Sequence, residues 1–262
     1  MKIIVLVKQV PEVAEVKVNP ETGTLIRDGV PSILNPFDEL AVEEAIKLKE
    51  KYEGEVTVIT MGPPQAVDVL YKAMAMGADK AVHMTDRIFA GADTWVTALT
   101  LAEQIKKMEY DIVICGKQAI DGDTAQVGPE IAEILRIPQI CYVRKLEIDD
   151  NGKHVIAHRE TDDGYEVIRA KIPVLITATK GLNEPRLPNI MGIMKAKKKP
   201  LEVVDAASLG VDENRLGLKG SPTTVRRVFP PPSKAGGIKV EADDPKEAAK
   251  KLVEFLLQKG AF

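Results

Sequence analysis

The sequence predicts an α/β fold built on a doubly wound parallel sheet, with an antiparallel extension and a C-terminal arm. Three observations predict it. Short continuous apolar runs, the pattern of strands buried on both faces, alternate with stretches whose apolar residues recur at helical spacing. The strand-to-helix junctions are rich in glycine and proline. From Lys180 onward both periods fade, and Pro230-Pro231-Pro232 and Gly236-Gly237 mark extended chain.

Taken in order, Lys2–Val7 is the first buried strand. Val10–Asp28 carries short alternating runs around Asn19-Pro-Glu-Thr-Gly23, a hairpin or excursion that ends at Asn35-Pro36-Phe37-Asp38. Leu40, Ala41, Ala45, Ile46 and Leu48 then set a helical stripe to about Tyr52, broken by Gly54. Glu55–Thr60 reads as a strand, Met61-Gly62-Pro63-Pro64 as a loop, and the next helix runs to about Met76. Lys80–Met84 is a third strand, Thr94–Met108 a helix capped by Asp93 or Thr94, and Asp111–Cys115 a fourth strand. A further helix follows. Ile140–Leu146, Val155–Arg159 and Val167–Ala170 read as antiparallel strands, and Pro173–Ala178 as another buried one. Leu182–Pro200 has no clean period. A last helix, Pro245–Lys259, carries Ala248, Ala249, Leu252, Phe255 and Leu256 on one face, which asks for a surface to cover it.

The most informative stretch is Ile112–Arg136. A short apolar run stops at Gly116, small and polar residues follow, and Ile131, Ile134 and Leu135 resume at helical spacing. Such a junction aims backbone N–H groups and the positive end of a helix dipole at one spot, which suits a phosphate. Asp123 or Thr124 is expected to cap the helix, Asp121 being a further capping candidate, and Pro129 fits the first turn. The plainer reading is that Gly116, Gly122 and Gly128 only make a tight turn, since the loop is neither a Walker loop nor GxGxxG. In a doubly wound sheet ligands sit beyond the carboxyl ends of the strands. The loops Leu6–Gln9, Met61–Pro64 and Gly116–Gly128 fall on that edge, and Asn35–Asp38 joins them through the excursion.

Composition narrows the function. A net charge of −3 with both signs interspersed argues against a nucleic-acid or membrane-surface protein. No apolar run reaches the roughly 20 residues of a membrane span, and no signal-peptide pattern precedes the first strand, so a cytoplasmic location is expected. Cys115 and Cys141 are too few for a cluster, and His154 and His158 lie on a strand where a shared metal is not expected.

Several motifs together carry a resemblance: Val7-Lys8-Gln9-Val10, Asn35-Pro36-Phe37-Asp38, Met61-Gly62-Pro63, Ala75-Met76-Gly77-Ala78-Asp79, Gly116-Lys117-Gln118-Ala119-Ile120-Asp121, Leu182-Asn183-Glu184-Pro185-Arg186 and Met194-Lys195-Ala196-Lys197-Lys198. In this order the chain resembles the small (beta) subunit of electron transfer flavoprotein over residues 1 to about 215. The resemblance implies a Rossmann-like, adenine-nucleotide-binding domain over 1–180. It also implies a region 181–262 that supplies a partner-docking loop, an arm and a helix packing on a larger alpha subunit in an obligate heterodimer. It places the nucleotide near Leu6, at Asn35, Pro36, Phe37 and Asp38, near Met61, and along Gly116, Lys117, Gln118, Asp121, Gly122, Asp123, Thr124, Ala125, Gln126, Val127, Gly128 and Pro129.

AMP-binding members have a larger Asn and a Thr at the positions of Ala125 and Val127. This chain is similar instead to the flavin-bifurcating branch, in which FAD occupies the pocket, accepts hydride from NADH, and parts the electrons. One goes to ferredoxin or flavodoxin, the other through the alpha-subunit FAD to an acyl-CoA dehydrogenase or quinone-linked partner. AMP in a plain electron carrier is the alternative, and a stand-alone nucleotide sensor a remote one. Small residues at Gly122, Ala125 and Gly128 are expected to let the backbone close on a pyrophosphate, and Arg27–Asp38 to face the ring. Lys117 is a phosphate counter-ion or a solvated lysine, and Trp95 and Phe89 are expected in the core. The resemblance implies docking of partners at Leu187, Ile190 or Met191 amid Lys195, Lys197 and Lys198, an apolar knob in a charged rim. Without it, the lysine run reads as a solvated face.

Overall fold

The computed structural model describes residues 1–12, 31–226, 239–242 and 244–260. The first strand, β1 (Lys2–Leu6), sits in the middle of a nine-stranded sheet. Its residues alternate strictly between the two faces. Ile3 and Val5 pack under α1 (Pro36–Tyr52) and α2 (Val67–Met76), and Ile4 and Leu6 under α3 (Thr94–Ile105) and α4 (Val127–Leu135). This two-sided burial is why the strand reads as an unbroken apolar run.

On one side of β1 lie β4 (Glu55–Met61) and β5 (Lys80–Met84), and on the other β6 (Ile112–Gly116), all parallel. The order in which strands are added therefore reverses between β1 and β6, the switch point at which ligands collect in such sheets. Short β2 (Gln9–Pro11) and β3 (Ser32–Leu34) pair antiparallel and bring the chain back to α1. The rest of the expected excursion lies outside the described residues.

Beyond β6 the order is β10 (Val174–Ala178), β7 (Gln139–Ile148), β8 (His154–Thr161) and β9 (Gly164–Lys171). The three-strand meander is antiparallel, as expected, and β10 returns to insert parallel between β6 and β7. The opposite edge differs from the sequence reading. Leu182–Pro200 contains α5 (Ile190–Ala196), and Leu201–Val204 forms β11, which pairs parallel with β5. One compact unit runs from Met1 to Val228. Short α6 (Ala206–Leu209) and α7 (Gly217–Gly220) complete this unit. The second unit, Phe229–Phe262, contains α8 (Pro245–Gln258), started by Pro245 and capped by the Asp244 carboxylate on Lys246 N–H. No helix among the described residues is long and apolar enough to cross a membrane.

Candidate functional site

The carboxyl ends of β1 and β6 open into a cavity of about 760 Å³, within the ~300–1,000 Å³ usual for small-molecule sites. Leu6, Ile59, Phe89, Leu101 and Cys115 supply apolar lining. Burial pushes the Cys115 thiol well above its usual range, with the nearby Asp38 carboxylate adding to the effect, so it is an inert wall. Of the residues expected from the sequence, Leu6, Asn35, Asp38, Met61, Gly116, Lys117, Gln118, Gly122, Asp123, Thr124, Ala125, Gln126, Val127 and Gly128 line this cavity, whereas Pro36, Phe37, Asp121 and Pro129 do not. Residues 27–30 of the stretch expected to face a ring lie outside the described residues.

The loop from Gly116 to α4 departs from expectation in its capping. Helix α4 begins at Val127 after Gln126 with no side-chain cap, and only Pro129 takes its expected first-turn place. Asp123 accepts a hydrogen bond from Gln118 Nε2 at 2.6 Å, and Asp121 pairs with Lys8 Nζ at 2.7 Å. Left-handed backbone at Asp123 (φ 50°) and Ala125 (φ 54°) sets these side chains apart from the helix start. Ala125 is followed by right-handed Gln126 (φ −99°, ψ −35°), a reversal of sign that gathers successive N–H groups into an anion-binding concavity. Among the described residues no acceptor takes the N–H groups of Thr124, Ala125, Gln126, Val127 or Gly128. Five consecutive donors at a helix N-terminus thus border the cavity.

The glycines do different work from that expected. A Cβ on Gly128 meets Cys115 Sγ at 2.9 Å and Thr177 Cγ2 at 3.0 Å, so this glycine lets α4 sit close on the sheet. A Cβ on Gly116 falls 2.4 Å from Asp38 Oδ1 and 2.6 Å from Phe37 Cβ. Nothing lies within 4 Å of one on Gly122. Two of the three glycines serve packing, and the small residue whose backbone shapes the anion loop is Ala125.

Asn35 and Asp38 tie the loops of the site together. Asn35, 1% exposed, donates from Nδ2 to Gln118 O (2.9 Å) and accepts Ile120 N–H (3.2 Å). Asp38 accepts Lys8 N–H at 2.8 Å and Gly116 N–H at 3.0 Å. Burial pushes its pKa up to about 7, against the pull of Asn35, of the two N–H groups and of the Lys8 charge. Its carboxylate is thus a staple between the loop after β1 and the loop after β6.

A second helix N-terminus, that of α3, borders the cavity, and of the two caps expected for it Asp93 is the one used. Asp93 caps α3 by accepting Val96 N–H at 3.0 Å. Its other oxygen takes Thr223 N–H (3.0 Å) and Oγ1–H (2.8 Å). Partial burial pulls Asp93 up, but these donors outweigh it and hold the carboxylate below its usual range. Thr94 Oγ1 lies 3.1 Å from Glu130 Oε1 and 3.3 Å from Gln126 Oε1, linking the first turns of α3 and α4. Thr97, Leu101, Thr223 and Val225 also line the cavity and were not anticipated. Thr97 and Leu101 continue the face of a helix already placed, but nothing in the sequence points to Thr223 or Val225.

Lys117 is half-buried in the lining of the cavity, with its ammonium 5.1 Å from the Phe37 ring centre and 6.0 Å from that of Tyr142. Tyr142 is turned there by a left-handed residue (φ 62°) in the irregular β7–β10 register, with its N–H held by Thr177 Oγ1 at 2.9 Å. Phe89 is buried as expected, but Trp95, on the outward side of α3, is 45% exposed.

Away from the cavity, Arg186 donates to Glu43 and Glu50 of α1, and Asn183 to Leu40 O and Glu44. These contacts fix the segment leading into α5. Leu187, 91% exposed, and Ile190 and Met191 stand clear of the surface, joined by Ile193 and Met194, which the sequence reading did not include. Lys195, Lys197 and Lys198 are exposed around them. Lys199 is not part of a solvated face: its ammonium binds Met74 O at 2.9 Å.

Fold and site together define a Rossmann-like doubly wound protein with a ligand-sized crevice at its switch point. The family model described as electron transfer flavoprotein domain matches residues 22–209. Along 257 residues the chain is 56% identical to the electron transfer flavoprotein subunit beta of Thermoanaerobacterium thermosaccharolyticum, with 98% of each chain covered. It is 49% identical over 261 residues to the caffeyl-CoA reductase-Etf complex subunit CarD of Acetobacterium woodii, covering 99% of each. Identity to protein FixA of Azorhizobium caulinodans is 44% over 242 residues, 90% of this chain and 86% of that one. The chain belongs to the electron transfer flavoprotein family, on the side of its beta subunits.

Proposed function

We propose that this chain is the nucleotide-holding half of a cytoplasmic electron transfer flavoprotein heterodimer, and that its cavity binds FAD in a bifurcating complex. The observation that carries the reading is the row of five unclaimed N–H groups from Thr124 to Gly128, bordering a cavity that continues to the N-terminus of α3. When bound, FAD supplies a ring that takes a hydride from NADH and passes electrons on singly.

The residues present fit that group. The donors suit a pyrophosphate without a basic side chain, because the acids nearby are occupied: Asp121 by Lys8, Asp123 by Gln118. Leu6, Ile59, Phe89 and Leu101 give the cavity an apolar wall that suits a flat ring. The exposed apolar residues of the α5 region, ringed by Lys195, Lys197 and Lys198, suit a transient docking partner such as an acyl-CoA dehydrogenase or quinone-linked protein. The relative named as part of a caffeyl-CoA reductase-Etf complex supports an acyl-CoA-linked acceptor. Ferredoxin or flavodoxin is the expected second acceptor.

The test is to purify the chain with its alpha subunit, release the bound nucleotides, and titrate the complex anaerobically with NADH. Two FAD per heterodimer and direct bleaching by NADH are expected. One FAD with releasable AMP, and no response to NADH, overturns the bifurcating reading.

A further inference from the structure

Thr223 enters the lining of the cavity 130 residues after Asp93, with Val225 just beyond it, and the reason lies in Asp93. The connection is built in steps from α7. Gly217 has a left-handed φ of 53°, and a Cβ there falls 1.8 Å from Ile88 O, so only glycine lets the chain pass this close to the loop before α3. Leu218 N–H then donates to Ala90 O at 3.0 Å. Ser221 Oγ donates to Gly217 O at 2.8 Å and accepts Asp93 N–H at 2.9 Å. Asp93 divides its carboxylate: one oxygen caps α3, and the other takes both donors of Thr223. The next residues carry Val225, an apolar side chain 81% exposed, along the cavity.

We infer that Ser221–Val225 is a strap latched by Asp93, that it forms one wall of the nucleotide site, and that retention of the nucleotide depends on the latch. This rests on the reading of the cavity as a nucleotide site, but not on which nucleotide fills it. The division of labour within Asp93 allows a clean separation. Asparagine caps a helix about as well as aspartate, yet with its oxygen on Val96 it turns an NH₂ group toward the Thr223 N–H, and only the Thr223 hydroxyl, by turning to accept, keeps a bond to it. Thus Asp93→Asn removes the charge and the main-chain strap bond while leaving α3 capped. Thr223→Val removes one of the two strap bonds, and Thr223→Ser restores it.

The experiment measures release of bound nucleotide from the purified heterodimer, by dilution into excess unlabelled FAD or AMP, matching the nucleotide found in the wild type. Charge-assisted hydrogen bonds of this kind lead us to expect about tenfold faster release for Asp93→Asn and about threefold for Thr223→Val, with Thr223→Ser within about twofold of wild type. Wild-type release from both Asp93→Asn and Thr223→Val overturns the latch. So does equal acceleration in Thr223→Val and Thr223→Ser, which marks general loosening. If Asp93→Asn yields no heterodimer, the valine and serine pair decides. A wild-type complex that neither carries nor takes up FAD or AMP instead removes the nucleotide reading, and the latch with it.

Discussion

Asp38 and Asp93 do the same task at opposite sides of one cavity and end with opposite acidities. Each is an acid near a helix start that holds two distant segments together through its oxygens, Asp38 by Lys8 and Gly116 N–H, Asp93 by Val96 N–H and Thr223. Asp38 lies in the interior, and loss of water dominates, lifting it to about 7. Asp93 keeps contact with solvent, and its donors win, lowering it. What distinguishes them is how much water each has given up, more than how many donors it has.

The comparison breaks first, if it breaks, on stability. Asp38→Ala strips the Lys8 and Gly116 N–H groups of their acceptor and leaves a void where a buried side chain was, and is expected to cost about 3 kcal/mol at pH 5.5, where the native acid is protonated. Asp93→Ala, which loses a helix cap and the Thr223 bonds near solvent, is expected to cost less, about 1–2 kcal/mol. Equal midpoint shifts in urea denaturation for the two variants would refute the contrast. Next in size is the pH dependence. Because the folded pKa of Asp38 stands above its unfolded value, its contribution is fully present below about pH 4 and lost as pH rises toward 7. The fall between pH 5 and 7 is about 2 kcal/mol, and it should vanish in Asp38→Asn. For Asp93 the sign reverses: its contribution is present above the unfolded pKa and fades as the solution is acidified through its lowered folded value. A flat wild-type profile between pH 5 and 7 contradicts the assignment to Asp38. A smaller effect probes how tightly the interior staple is surrounded. Gly116→Ala drives a methyl onto Asp38 and is expected to cost about 1–2 kcal/mol. Gly122→Ala, in open space, should stay within about 0.5 kcal/mol of wild type. Matching thermal midpoints for the two would show that the loops give way.

The parts of this architecture that could be read from sequence are those where one local pattern has one meaning. Runs such as Ile3-Ile4-Val5-Leu6 are buried on both sides and read as central strands, and the Gly116–Gly128 junction reads as a loop into a helix. β11 escaped because an edge strand of four residues with Val203 largely exposed has no such run. α5 escaped because Ile190, Met191, Ile193 and Met194 point outward, so its apolar residues mark no buried stripe. Within the site, the positions of Asn35 and Asp38 were legible but their task was not, since a side chain that binds a ligand and one that binds a neighbouring loop leave the same trace in sequence. The caps at Asp121, Asp123 and Thr124 failed because left-handed backbone at a non-glycine residue carries no compositional mark. Thr223 and Val225 depend wholly on tertiary placement.

The left-handed turn at Ala125 has a consequence for how such a pocket diversifies. Glycine and asparagine also accept this conformation, whereas branched side chains resist it. Substitution among Gly, Ala and Asn at that position therefore leaves the main chain, and the amides it presents, where they are, while changing how much room the side chain occupies. One position can thereby change the room left in the cavity without moving the row of amides from Thr124 to Gly128.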